Sequence, residues 1–172
     1  MKKLLVFFPV ILFFFLSGCS SRSEENSVKV MTLNVRYDNP GDSINAWPSR
    51  ATQVCKFVMN EKPDILGMQE VLWHQFEVLD SALKEYNSSG VGRDDGAKAG
   101  EMNPVFFRKD RFDMVRTITF WLSDSPEIPG SKGWGASLPR IVTWMELVEK
   151  NSHEHFFYFD THFAHDSDSA RI

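Results

Sequence analysis

The sequence has too few cysteines for a fold stabilised by disulfide bonds. Only two cysteines, Cys19 and Cys55, occur among its 172 residues, whereas small secreted domains that depend on disulfides carry several pairs. Cys55 lies among apolar residues that recur at helical spacing, which predicts a packed thiol rather than a nucleophile. Stability must therefore come from a hydrophobic core. A content of 42% hydrophobic and 13% aromatic residues is typical of a globular chain of one domain.

An excess of positive charge is also missing. The chain has 19 basic and 23 acidic residues, which give a net charge of −4. Non-specific binding of nucleic acid depends on the neutralisation of phosphates by Lys and Arg, so the charge does not indicate a nucleic-acid partner. Chemistry on a phosphate group would need a local positive charge here, most simply a metal ion.

No apolar run is long enough to span a membrane. The run Leu4–Leu16 follows two lysines and is shorter than the ~20 residues that a transmembrane helix needs, which is typical of a secretory signal. Residues 16–19, Leu-Ser-Gly-Cys, resemble the cleavage site of bacterial lipoproteins. This resemblance implies lipidation of Cys19, and Ser20 after it implies a place in the outer membrane of a Gram-negative cell envelope.

The chain therefore divides into a signal peptide (residues 1–18), a polar tether (residues 19–27) and a domain (residues 28–172). Removal of the signal takes away two lysines and leaves 17 basic against 23 acidic residues, a net charge of −6. We expect firm attachment to the membrane through Cys19, because each buried methylene of an acyl chain adds ~0.8 kcal/mol of membrane affinity.

The domain begins with two strand–helix units. The runs Val28–Val35 and Asp64–Glu70 are apolar on both sides of the pleat, which predicts buried strands. After each strand, apolar residues recur at helical spacing, and the two predicted helices begin near Pro48 and Leu72. A loop rich in Gly and Asp follows at residues 90–100.

The second half of the domain changes to a pattern of strands. A long loop with several Pro and Gly at residues 123–139 interrupts them. Two strand–helix units followed by β-hairpins favour an α/β sandwich of mixed sheets with helices outside. The predicted strands are Val105–Phe107, Val115–Leu122, Ile141–Val148 and Phe156–Thr161.

Three of the predicted strands end in a polar residue after an apolar run. These residues are Asn34, Glu70 and His162. Ligands of α/β folds bind at the carboxyl ends of strands, where such side chains converge. An amide, a carboxylate and an imidazole gathered there predict a hydrolytic metal site. The alternative is that each one only satisfies the backbone of a loop.

Four stretches together resemble the endonuclease/exonuclease/phosphatase superfamily, most closely its secreted members in glycan-degrading gut bacteria. The stretches are MTLNVRYD (31–38), KPDILGMQEV (62–71), GVGRDDGAKAGEMNPVFFRKDRF (90–112) and FYFDTHFAH (157–165). The resemblance implies a four-layer α/β/β/α sandwich, of which this chain holds the N-terminal part. It also implies a divalent-metal-dependent hydrolase of phosphate esters, acting as a phosphodiesterase, nuclease or phosphatase.

The resemblance implies roles for four residues. Glu70 would bind Mg²⁺ or Mn²⁺, which prefer hard oxygen ligands, and Asn34 would lie beside the ion and orient phosphate or water. His162 would be catalytic, because an imidazole can donate to a phosphate oxygen or assist the leaving group. Arg36 would contact a phosphate oxygen, with a solvated strand-end cation as the alternative.

Arg93, Asn103 and His165 are expected on the substrate side of the site. Arg93 lies in a Gly-flanked loop that resembles the bacterial members, although a solvated turn explains this loop equally well. Asn103 precedes a strand that enters the core. His165 follows the Thr-His pair by three residues, but the Asp that the family often has before it is an Ala here.

Two later motifs of the family, Gly-Asp-x-Asn and Ser-Asp-His, do not occur in the 172 residues. We therefore expect a fragment or a truncated product that is catalytically silent and poorly soluble by itself. A full-length version is expected to be a monomeric, membrane-anchored phosphoesterase. Its substrate remains open among DNA, RNA, a lipid head group and a sugar phosphate. The alternative is a non-catalytic surface lipoprotein with a binding role, or an inactive product.

Overall fold

The computed structural model describes residues 27–172. The predicted signal peptide, the lipidation site Cys19 and all of the tether except Ser27 lie outside the described residues. None of the helices in the described part is long and apolar enough to cross a membrane.

Two sheets form the framework of the domain. The first sheet has the strand order β1–β2–β4–β3, with β1 parallel to β2 and the other neighbours antiparallel. Its strands are β1 (Val30–Asn34), β2 (Ile65–Gln69), β3 (Tyr86–Ser89) and β4 (Val105–Arg108). The second sheet is antiparallel and consists of β5 (Phe112–Trp121), β6 (Ile141–Glu149) and β7 (His155–Thr161).

Two helices cover the outer face of the first sheet. Helix α1 (Trp47–Glu61) follows β1, and helix α2 (Trp73–Ala82) follows β2. Their buried faces pack with the sheet in one cluster that includes Cys55, Val58, Leu79, Met68 and Phe106. Burial raises the pKa of the Cys55 thiol above its ordinary value, which makes it a poor nucleophile and agrees with the predicted packed thiol.

A second cluster fills the space between the two sheets. It joins Ile65, Val105 and Phe107 of the first sheet to Phe112, Met145 and Leu147 of the second. The prediction of an α/β fold with two sheets is therefore confirmed. In residues 27–172 no helix packs on the outer face of the second sheet, which presents the exposed side chains of Ile118, Phe157 and Phe159.

Most observed boundaries lie within two residues of the predicted ones, but one strand start differs by more and two elements were not predicted. β5 begins at Phe112 instead of residue 115, because a register shift between Met114 and Arg116 breaks the alternation of the pattern there. β3, Tyr86–Ser89, escaped prediction because it is a short edge strand with one buried apolar residue. A 3₁₀-helix at Pro40–Asn45 was missed as well, and it lies in the loop between β1 and α1.

Candidate active site

The carboxyl ends of β1 and β2 meet at one edge of the first sheet. The two strands are parallel, with Asn34 in register with Gln69, so Glu70 emerges beside Asn34. The Asn34 Nδ2 donates to Glu70 Oε1 over 2.8 Å. The structure thus brings together the amide and the carboxylate that the sequence places at separate strand ends.

The Glu70 carboxylate is held by backbone as well as by side chain. Glu70 has φ = 60°, a left-handed conformation that is uncommon for a residue with a Cβ and costs free energy. Its Oε2 accepts from the backbone N–H of Tyr37 (3.1 Å). The Asn34 Oδ1 accepts from the backbone N–H of Arg36 (2.8 Å), so the loop after β1 orients both side chains.

Two partly buried contacts from the helices fix this loop. Gln75 of α2 is fully buried, its Nε2 donates to the Arg36 carbonyl (3.1 Å), and its Oε1 accepts from the Leu72 N–H (3.0 Å). Arg50 of α1 donates to the Val35 carbonyl over 2.7 Å. Neither residue was predicted from the sequence. A Gln at the third position of a helix is a known helix-start signal, and Gln75 occupies this position in α2.

His162 follows β7 and lies between two carboxylates. Its Nε2 is 3.9 Å from Glu70 Oε1, and its Nδ1 is 3.8 Å from Glu101 Oε2. Both distances exceed a hydrogen bond, and Nδ1 is buried without a hydrogen-bond partner in the described residues. With its amide nitrogen toward the Met102 carbonyl, Asn103 accepts from the backbone N–H of His162 (2.7 Å).

Glu101 was not identified from the sequence, because it lies in a polar loop that looks solvated. In the structure its carboxylate accepts from both terminal nitrogens of Arg93 (3.0 and 3.1 Å). Burial by itself would raise the pKa of Glu101, but His162 and Arg93 hold it below its ordinary value. Glu101 is therefore an ionised partner on the Nδ1 side of the imidazole.

Arg93 lies behind Glu101 and not at the surface. Its exposed fraction is 8%, and its carbonyl accepts from Trp121 Nε1 over 2.6 Å. Contact between Arg93 and a substrate stays a prediction. In the same loop, the Asp95 Oδ1 accepts from the N–H groups of Ala97 and Ala99, as expected of a turn.

A second buried arginine holds the segment after β7. Arg140 is 5% exposed, and it donates to the His162 carbonyl (3.3 Å) and lies 3.2 Å from His165 Nδ1. His165 is exposed beside the site. Arg140 was not predicted from the sequence either, because it lies at the end of a long irregular loop and no local pattern distinguishes it.

Arg36 points away from Glu70 toward the 3₁₀-helix. Its guanidinium makes two hydrogen bonds to the Asp42 carboxylate (2.5 and 2.6 Å) while remaining about half exposed. The pKa of Asp42 is lowered chiefly by the hydrogen bond from Arg36. A phosphate contact by Arg36 would require this pair to open, and it stays a prediction.

A buried acid lies beneath the site. Asp160 of β7 is 4% exposed, and burial raises its pKa to about 7 although Gln69 and His162 act in the opposite direction. The Gln69 Nε2 donates to its Oδ1 over 2.7 Å. Sequence reasoning missed Asp160, because nothing local distinguishes it from a residue at the polar end of a strand.

The model of the Endonuclease/Exonuclease/phosphatase family matches residues 31–169, which include every site residue described above. The chain belongs to this family. Members of the family are hydrolases that act on phosphate esters, and they generally use divalent metal ions.

Solved structures of bacterial family members are similar to the chain. An endonuclease/exonuclease/phosphatase from Bacteroides vulgatus is 46% identical with a TM-score of 0.82, and the match covers 84% of this chain and 55% of that one. A mannosyl-6-phosphatase from Bacteroides thetaiotaomicron is 39% identical with a TM-score of 0.81, covering 85% and 55%. An uncharacterized protein of Acanthamoeba polyphaga mimivirus is 28% identical over 160 residues, 84% of this chain and 57% of that protein. The chain thus spans about half of the length of these relatives.

The oxygen ligands at the carboxyl ends of these strands are of the type that a hard divalent cation prefers. In residues 27–172 no three His, Cys, Asp or Glu side chains form a metal-binding group. Mg²⁺, however, is commonly held by one or two carboxylates while it keeps several waters. The Glu70 carboxylate is partly exposed and oriented by two donors, so it can supply such a ligand with Asn34 beside it.

Proposed function

We propose that these residues are the N-terminal half of the active site of a Mg²⁺- or Mn²⁺-dependent phosphate-ester hydrolase. The observation that carries the proposal is the meeting of three strand ends, at which His162 Nε2 lies 3.9 Å from a Glu70 carboxylate held by Asn34. Family membership supports the reaction class.

Each side chain then has a defined task. The cation, held by Glu70, would neutralise charge on the phosphoryl oxygens. Asn34 keeps the carboxylate in place through its Nδ2. The ionised Glu101 carboxylate faces Nδ1 of His162 over 3.8 Å. A doubly protonated ring would donate from Nε2 to a phosphate or leaving-group oxygen.

A sugar phosphate is the substrate that we propose first. The support is the 39% identity with a mannosyl-6-phosphatase over 85% of this chain. The net charge of −6 predicted for the mature chain disfavours long nucleic acids, because they bind through Lys and Arg.

The test is a comparison of substrates with Mg²⁺, using a protein in which this chain is continued to the length of its relatives. We expect release of inorganic phosphate from mannose 6-phosphate to exceed hydrolysis of bis(p-nitrophenyl) phosphate and of single-stranded DNA. Faster cleavage of DNA would contradict the substrate assignment. An absence of turnover on all three would favour the non-catalytic surface lipoprotein.

We also propose that the protein is attached to the outer membrane through Cys19. The support is the apolar run Leu4–Leu16 and the Leu-Ser-Gly-Cys sequence that ends at Cys19. Replacing Cys19 with alanine is expected to move the protein from the detergent phase to the aqueous phase in a Triton X-114 partition. Cys55→Ala is the matched control, since Cys55 is buried in the domain. A Cys19→Ala protein that stays in the detergent phase would refute the lipid anchor.

A further inference from the structure

Two side chains connect the halves of the candidate site through the interior. Gln69 is the last residue of β2, in register with Asn34 and directly before Glu70. Asp160 lies on β7 two residues before His162, which follows the strand directly. The Gln69 Nε2 donates to Asp160 Oδ1 over 2.7 Å, across the interface between the two sheets.

The surroundings leave this pair little freedom. The Gln69 Nε2 donates also to Thr32 Oγ1 (3.0 Å), so both of its hydrogens are used. Gly67 lies so close to β7 that a Cβ there would be 2.3 Å from Asp160 Oδ1 and 2.6 Å from the Tyr158 hydroxyl. The side chains of β7 therefore rest directly on the backbone of β2 at this point.

Stability alone does not account for a carboxyl group here. The Asp160 Oδ2 is buried without a hydrogen-bond partner in the described residues, and burial of an unsatisfied polar atom costs free energy. Its titratable neighbours are Tyr158 on its own strand and His162 directly after that strand, whereas β1 and β2 contribute the uncharged Thr32 and Gln69. An apolar pair of similar shape could fill the space at no greater cost.

We propose that Gln69 and Asp160 are positioning residues that set the separation between the Glu70 carboxylate and the His162 imidazole. The effect of this positioning on catalysis rests on the proposed function. Each residue lies within two positions of the group that it places, so a slip between the sheets changes the 3.9 Å distance directly. Productive geometry tolerates about 0.5 Å, and a misplacement of 1 Å can lower a rate by about 100-fold.

The first experiment needs no turnover. Mn²⁺ is added to the full chain in detergent micelles, and the paramagnetic broadening of the His162 ring signals is measured by NMR, because it falls steeply with distance from the ion. Gln69→Leu and Asp160→Ala are expected to weaken the broadening at substoichiometric Mn²⁺, normalised to the fraction of protein that binds the ion, about twofold, for a displacement beyond the ~0.5 Å tolerance. Asp160→Asn keeps an acceptor oxygen and is expected to restore it.

Tyr158→Phe is the matched control, since this residue packs at the same interface without bonding to Gln69. Broadening in Gln69→Leu and Asp160→Ala equal to that in Tyr158→Phe would overturn the proposal. If Gln69→Leu fails to fold, Thr32→Val takes its place, because it removes one of the two acceptors of the same amide. An unchanged signal in Thr32→Val would overturn the proposal as well.

Kinetics give a second measurement in a protein continued to the length of its relatives. Gln69→Leu is expected to lower kcat about 10- to 100-fold with KM nearly unchanged, and Asp160→Asn is expected to retain most of kcat. A rise in KM with kcat preserved would contradict a positioning role. If the wild type shows no turnover, the proposed function fails, whereas the Mn²⁺ broadening still decides the role of the pair.

Discussion

Replacing Glu70 with alanine is expected to lower phosphate-ester hydrolysis by about 100-fold or more in a protein that continues this chain to the length of its relatives. The physical reason is the loss of the carboxylate that would hold the cation in the proposed site, and removal of one electrostatic stabiliser at an active site costs about 100- to 1,000-fold. Asn34→Ala is expected to cost less, because Asn34 donates to the carboxylate and, in the proposed site, would lie beside the ion without being its main ligand. The measurement is kcat/KM for mannose 6-phosphate at several Mg²⁺ concentrations.

Glu61→Gln is the matched control for this experiment. Glu61 is an exposed glutamate at the end of α1 that pairs with Lys29 on the surface, and its removal is expected to leave kcat/KM unchanged. Near-normal turnover by Glu70→Ala at low Mg²⁺ would refute Glu70 as the metal ligand. A loss that high Mg²⁺ partly restores would agree with weakened binding of the ion.

Replacing Asp160 with asparagine is expected to remove a large part of the pH dependence of stability. Burial raises the pKa of Asp160 to about 7 in the folded chain, whereas its ordinary value, which applies to the unfolded chain, is 3.8. Below 3.8 the group is protonated in both states. Between these values the unfolded chain releases the proton while the folded chain keeps it, so the wild type loses stability as the pH rises, and the loss is complete well above 7.

One pKa unit corresponds to about 1.4 kcal/mol, so the full loss is of the order of 4 kcal/mol. We therefore compare the free energy of unfolding of Asp160→Asn with that of the wild type. The difference, variant minus wild type, is expected to increase by about this amount between pH 4 and pH 9. Urea denaturation across this range measures it. Asp113→Asn, at an exposed position of β5, should show no such rise, and a flat difference for Asp160→Asn would contradict the perturbed acid.

The strands and helices that position the site could be predicted because their patterns are local. The apolar run that ends in Glu70 belongs to a strand that is buried on both faces, and such strands can be recognised without tertiary information. The run that ends in Asn34 was predicted to be buried as well, but β1 is an edge strand whose residues are exposed or half-buried. The helical spacing around Val58 and Leu79 is likewise a property of each segment alone. These elements carry the amide and the carboxylate, so half of the site follows from the sequence.

Glu101, Arg140 and Asp160 were not predicted, because their roles depend on contacts between distant segments. Glu101 looks solvated in its loop, and only the approach of Arg93 and His162 shows that it is a partner of the imidazole. Arg140 contacts the segment after β7, and Asp160 contacts β2, which lies 91 residues away along the chain. Sequence periodicity cannot report such contacts, because each segment reads as an ordinary strand end or loop.

The most direct test of the candidate site is anomalous diffraction at the manganese edge from crystals grown with MnCl₂ and inorganic phosphate. We predict a manganese peak within coordination distance of the Glu70 carboxylate, close to the value of about 2.0–2.1 Å for Mg²⁺, with a phosphate between it and His162 Nε2. A manganese ion or a phosphate bound only elsewhere on the protein would contradict the assignment of the active site to the carboxyl ends of these strands.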